Sequence, residues 1–181
     1  MVHGRAAQAM SGGKYGRRLR RALCGLGLVL WFAAGHAAQA QSLRDGLAAY
    51  NRQDYVRASS IFIPLAERGV APAQTWLGFM FQTGRGVPQN YTEAAMWYRR
   101  AAEQGDSLAQ YSLGLLYDKG QGVPRDVIEA SKWLNLSTAA APPRAREARA
   151  RIRDALGTKM TRGEIAQARA RALGWAPSRE R

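Results

Sequence analysis

The chain has 181 residues, with 27 Lys+Arg against 13 Asp+Glu, a formal charge of +14, two His and one Cys. An apolar share of 46% argues against disorder of the whole chain, and the length suits one domain or one domain with an appendage. The basic balance invites a nucleic-acid or membrane reading, which depends on where the charge sits.

Residues Arg5, Lys14, Arg17, Arg18, Arg20 and Arg21 form a basic stretch without an acid, followed by the uncharged run Ala22–Gly35. A basic start, an apolar run of about 7–15 residues and an A-x-A site describe a secretory signal peptide. Ala38-Gln39-Ala40 supplies the small residues, so cleavage is expected between Ala40 and Gln41, with residues 1–40 as the leader. The alternative is an uncleaved inner-membrane anchor, although a spanning helix wants about 20 apolar residues. The expected location is therefore periplasmic or secreted, with no membrane span after cleavage.

Cleavage would remove His3, Cys24 and His36 and leave a chain with neither His nor Cys. Imidazole or thiolate metal sites, Ser-His-Asp and Cys-His systems, and disulfides are then excluded. No catalytic residue, metal ligand or cofactor is assigned. A glycosidase would need two facing carboxylates; Asp118 and Asp126 lie near one inter-helix loop, yet nothing raises them above a surface acid or a cap. Of the net charge, six units belong to the leader and one to 41–140. The remaining seven belong to 141–181, so no specific nucleic-acid binding is expected of the body.

The body repeats. Gly69–Gln104 placed over Gly105–Ala140 gives twelve identities in thirty-six positions without a gap. Each unit reads as two helices. In the first, Ala73, Leu77, Met80 and Phe81 recur as Ala109, Leu113, Leu116 and Tyr117. Gly78 and Gly114 inside it suggest close helix approach, and Gly84 or Gly120 ends it. Val87 and Val123 are expected to tuck under the next helix. The second helix opens at Asn90-x-x-Glu93 or Asp126-x-x-Glu129, read as pairs in which the first side chain caps and the Glu reaches back. Trp97 and Trp133 then face the partner helix. Asp54 opens the equivalent helix of a half repeat, with Leu43–Tyr50 as its partner and a kink or early start expected at Pro64.

The elements AQ..LG, G.GVP, EA..W and AAEQG make residues 54–140 resemble the Sel-1-like repeat (SLR) family, short α/α units related to tetratricopeptide repeats. The ending MTRGEIAQA is similar to that of small secreted bacterial members. One departure is LNLSTAAAPP, which replaces the AAEQG close in the second unit. The resemblance implies an all-α, right-handed α/α solenoid of about four antiparallel helix pairs. It also implies a module that binds other proteins rather than an enzyme. The expected layout is a half-canonical repeat at 41–69, repeats at 70–105 and 106–141, capping helices at 142–176 and a frayed tail at 177–181.

In the tail, Ala145, Ala148, Ile152 and Ala155 are read as one apolar face with Leu156 beside them, and Arg146, Arg149 and Arg153 as another, basic stripe. Thr161-x-x-Glu164 reads as a capping box opening a last helix with Ile165, Ala168 and Ala172 inward and Trp175 just beyond.

Two surfaces follow. Thr75, Phe79 and Gln82 share a face of one first helix, beside Trp76, and Tyr111, Leu115 and Asp118 hold the same places one repeat on. First helices of such units line the concave surface, so these residues are candidates to hold an unidentified protein or peptide. The alternative is that they fill gaps between repeats. The second surface is Arg146, Arg149, Arg153, Arg162 and Arg169, candidates for an anionic envelope polymer or surface, with a solvated helix face as the alternative.

Overall fold

The structure, a computed structural model, describes residues 38–178. The basic stretch and apolar run of the leader lie outside the described residues, as do 179–181. The chain divides into two compact units, Met1–Gln41 and Ser42–Arg181, and the second is the repeat body.

All regular structure among the described residues is helical. Helix α1 runs over 38–51, so Ala38, Ala40 and Gln41 are helical. It is followed by α2 (Tyr55–Glu67), α3 (Ala71–Thr83), α4 (Tyr91–Glu103), α5 (Ser107–Lys119), α6 (Val127–Ala139), α7 (Pro143–Gly157) and α8 (Arg162–Leu173). Within a repeat α3 packs on α4 and α5 on α6; between repeats α2 packs on α3 and α4 on α5. This is an α/α solenoid. The last two helices vary the plan, because α7 and α8 both pack on α6.

The helices start and stop where their side chains require. Asp54, Asn90, Asp106 and Asp126 each accept a backbone N–H of the first turn of their helix. Helices α3 and α5 end at Gly84 and Gly120 in the left-handed region, with φ of 70° and 67°. The reciprocal box forms only at Thr161–Glu164 among these starts. Glu129 does not reach back as expected. Its carboxylate takes Lys132 Nζ at 3.2 Å and Arg171 Nη1 at 2.7 Å, which ties α6 to α8. Helix α2 continues through Pro64, which stands on its exposed side.

The expected close approach is present. A Cβ on Gly78 would stand 2.8 Å from the Tyr98 ring, and one on Gly114 3.0 Å from Leu134 Cγ. Glycine there lets α3 meet α4, and α5 meet α6, more closely than alanine would allow. Val87 and Val123 are half-buried against the core, and Trp97 and Trp133 are 8% and 4% exposed. One buried cluster spans α1 to α3 with Trp97, another spans α4 to α8, and Phe79 and Phe81 touch both.

The inner face of α7 differs from the expectation. Ala148, Ile152 and Ala155 are exposed, and the residues buried on this helix are Arg149 and Leu156. Ser178 N donates to Glu103 O at 2.8 Å and Trp175 meets Trp133 edge-on at 6.3 Å, so 177–178 lie against the α4–α5 turn.

Candidate interaction groove

Helices α3 and α5 hold equivalent places in consecutive repeats, so residues thirty-six apart fall side by side. Between them lies a groove of about 330 Å³ lined by Thr75, Trp76, Phe79, Gln82, Tyr98, Leu108, Tyr111, Ser112 and Leu115. Six of the seven candidate partner-binding residues are therefore brought together. Asp118 is not among them. It stands about a turn past Leu115, half-buried, and its carbonyl accepts from Arg125 Nε at 2.9 Å.

The aromatic residues serve the core and the groove together. Trp76 stacks on Phe62 with planes 10° apart and meets Tyr50 at 4.9 Å and Phe79 at 5.9 Å. Trp76, Phe79, Tyr111 and Leu115 are half-buried, so one side of each is held while the other reaches the groove. Such anchors lose little side-chain entropy when a partner arrives. Thr75 is buried, and its hydroxyl donates to Ala71 O at 3.1 Å.

Sequence reasoning missed Tyr98, Leu108 and Ser112. Leu108 is 48% exposed at the entrance. Tyr98 comes from α4 and forms a polar floor: its hydroxyl donates to Gln82 Oε1 at 2.8 Å. Burial pushes this phenol well above its usual range, and Ser112 opposes the shift by hydrogen bonding. Gln82 thus turns its oxygen to Tyr98, and its amide donors remain for a carbonyl in the groove. Of the second-helix residues, the sequence singles out Trp97 and Trp133, read as core, and Glu93 and Glu129, read as caps, but not Tyr98.

The basic tail does not form the expected stripe. Arg149 is only 8% exposed, and its Nη1 donates to Ser107 O at 2.9 Å, Ser137 O at 3.2 Å and Ser137 Oγ at 3.0 Å. It belongs to the interior because α5, α6 and α7 meet there, where Ser137 O near the end of α6 lacks a helical donor and Ser107 O takes a second one beside the Ser137 hydroxyl. Desolvation lowers its pKa, and Asp106 and Tyr111 oppose that. Arg146 donates to Ala141 O at 3.1 Å, and Arg153 pairs with Asp154 at 2.7 Å. Arg162 is exposed at the start of α8. Arg169 lines a second hollow with Leu136 and Leu173.

Among the described residues, no group of three or more His, Cys, Asp or Glu is placed to hold a metal ion. Asp126 spends its carboxylate on the N–H groups of Ile128 and Glu129, both at 2.9 Å. No described helix is long and apolar enough to cross a membrane.

The Sel1 repeat model matches residues 71–106 and 107–141, the two units that carry the groove. The chain carries two Sel1 repeats. Such repeats are typically protein–protein interaction modules. Two solved structures share the fold. One is c5321, a protective antigen present in uropathogenic Escherichia coli strains and displaying an SLR fold, with 28% identity and a TM-score of 0.68 over 77% of this chain. The other is a Sel1 repeat protein from Oxalobacter formigenes, with 29% identity and a TM-score of 0.57 over 73% of this chain. The matched regions make up 30% and 53% of those chains. No curated protein matches this sequence.

Proposed function

We propose that this chain is a non-catalytic adaptor or scaffold of the bacterial envelope that holds a protein partner in the groove between α3 and α5. The observation that carries this reading is the groove itself. Its nine lining residues include no formal charge, and its aromatic edges occupy positions that the repeat leaves free to vary. A pocket of about 330 Å³ is at the small end of those that enclose whole ligands, about 300–1,000 Å³. It suits one or two side chains of a larger partner, anchored by aromatic contact and oriented by Gln82 and Ser112.

Export is part of the proposal. The leader-like sequence of residues 1–40 supports it.

The test places a photo-crosslinking residue at Leu115 in cells and identifies the captured protein, with Phe79→Ala and Tyr111→Ala as comparisons. Capture is expected to fall at least tenfold in either variant, compared at a temperature where thermal melts show each variant still folded, because Phe79→Ala also removes core packing. Unchanged capture together with a large loss of stability would assign these rings to the core alone. The alternative, anionic polymer on Arg146, Arg162 and Arg169, predicts instead a binding that collapses between about 50 and 500 mM salt.

A further inference from the structure

Helices α6 and α8 enclose a second hollow of about 330 Å³. It is lined by Asn135, Leu136 and Ala139 from α6 and by Arg169, Ala172 and Leu173 from α8. It shares no residue with the groove between α3 and α5. Four of these six residues are apolar. Leu136 and Ala172 are half-buried, and Leu173 is 88% exposed.

Arg169 is the one cation of the six. It is exposed, and it takes part in no hydrogen bond or ion pair among the described residues. The acids of both helices are engaged elsewhere. Glu164 bonds Thr161, and Glu129 holds Lys132 and Arg171. The hollow therefore sets an uncompensated positive charge beside an apolar surface.

Charge and lining together select the occupant. Covering a guanidinium with a neutral ligand would remove water and return no partner, so an anion belongs opposite Arg169. One cation balances one charge, and its planar fork matches a carboxylate bidentately. A doubly charged phosphate monoester would want a second cation, which the hollow lacks. The rest of the occupant must be apolar. A peptide would bring backbone N–H and C=O groups that need partners. Asn135 is the one side-chain amide there, and its Nδ2 is turned to Ser131 Oγ at 3.5 Å. An alkyl chain makes no such demand. The volume lies at the small end of sites that enclose whole ligands, about 300–1,000 Å³, which suits one chain.

We propose that this hollow binds a single-chain alkyl carboxylate. Its head sits on Arg169 and its chain lies along Leu136, Ala139, Ala172 and Leu173.

The test is calorimetric titration of the full chain with octanoate, decanoate and dodecanoate, each below its micelle concentration. Decanoate is expected to bind about tenfold or more tightly than decyltrimethylammonium, which carries the same chain on a cationic head. Each two further carbons should strengthen binding about tenfold while the chain still gains contact. Arg169→Gln and Leu173→Asn alter exposed side chains, so thermal melts should match the parent. Each is expected to weaken decanoate about fivefold or more, and Arg162→Gln to leave it unchanged. Equal binding of the two heads, equal loss in Arg162→Gln and Arg169→Gln, indifference to Leu173→Asn, or no binding below the micelle concentration would overturn the proposal. Displacement of decanoate by polyglutamate would overturn it in favour of an anionic polymer. The groove reading rests on other residues and stands or falls separately.

Discussion

Gln74 and Gln110 are one repeat position with two outcomes. Gln74 Nε2 donates to Ala66 O at 3.1 Å, and its Oε1 accepts from Gln104 Nε2 at 2.8 Å. Gln110 Nε2 donates to Ala102 O at 3.2 Å, but its buried Oε1 has no partner. The residue thirty-six after Gln104 is Ala140, and both are helix C-caps with similar backbone, φ −80° and −88°. The second repeat has lost the side chain that would satisfy its own buried amide. Ala140→Gln is therefore expected to raise stability by about 1 kcal/mol, read as a higher urea midpoint at unchanged m value. Glu164 offers a pH readout. Its carboxylate accepts from Thr161 N at 2.7 Å and bonds Thr161 Oγ at 2.8 Å, and those bonds hold its pKa below the ordinary 4.5. A depressed folded value means stability present above the unfolded pKa and lost as pH falls through the folded one. Glu164→Gln keeps an uncharged capping box. The stability gap between the parent and this variant should therefore be present near neutrality and close below about pH 4, followed by thermal melts across that range.

At the scale of the element, the first helices explain the repeat signature. Gly86 and Gly122 sit at φ of 74° and 71°, and a Cβ on either would collide with the carbonyl of Tyr55 or Tyr91. Each G.GVP loop thus lies on the first turn of the preceding unit's second helix, which sets the step from one repeat to the next. Gly78 sets the spacing within a unit. Gly78→Ala gains about 1 kcal/mol in helix propensity, yet its Cβ would meet a Tyr98 ring held by Gln82. A net loss of about 1–2 kcal/mol is expected by chemical denaturation, with the groove floor displaced. Helix α7 shows the limit of reading a helix by its apolar spacing. Its alanines point to solvent because Ser107 and Ser137 present oxygens to it, and an arginine satisfies them where an alanine cannot.

At the scale of the molecule, α7 and α8 complete the core. Leu156, Met160 and Ala168 are buried in the same cluster as Leu113 and Trp133, and Trp175 closes over Trp133. Trp175→Ala is expected to cost about 1.5–3 kcal/mol in a single cooperative transition, measured by fluorescence and circular dichroism together. A separate transition for the tail would instead show that the cap folds apart from the repeats. The basic character of the tail is accordingly partly interior: one arginine is a strut and another is paired with its neighbour.

The repeat, the helix pairs, the caps and the glycine approaches were legible in the sequence because they rest on local rules of spacing, capping and backbone freedom. Thirty-six-residue periodicity also brought six groove residues into one prediction, since equivalent positions on parallel helices become neighbours whatever the details. What the tertiary structure alone decided is which groups from different elements meet. Tyr98 enters the groove from another helix, Asp118 stays out of it, Glu129 turns to α8, and Arg149 turns inward to backbone oxygens. Those outcomes follow from hydrogen-bond demands created only when helices pack, and no one-dimensional pattern carries them.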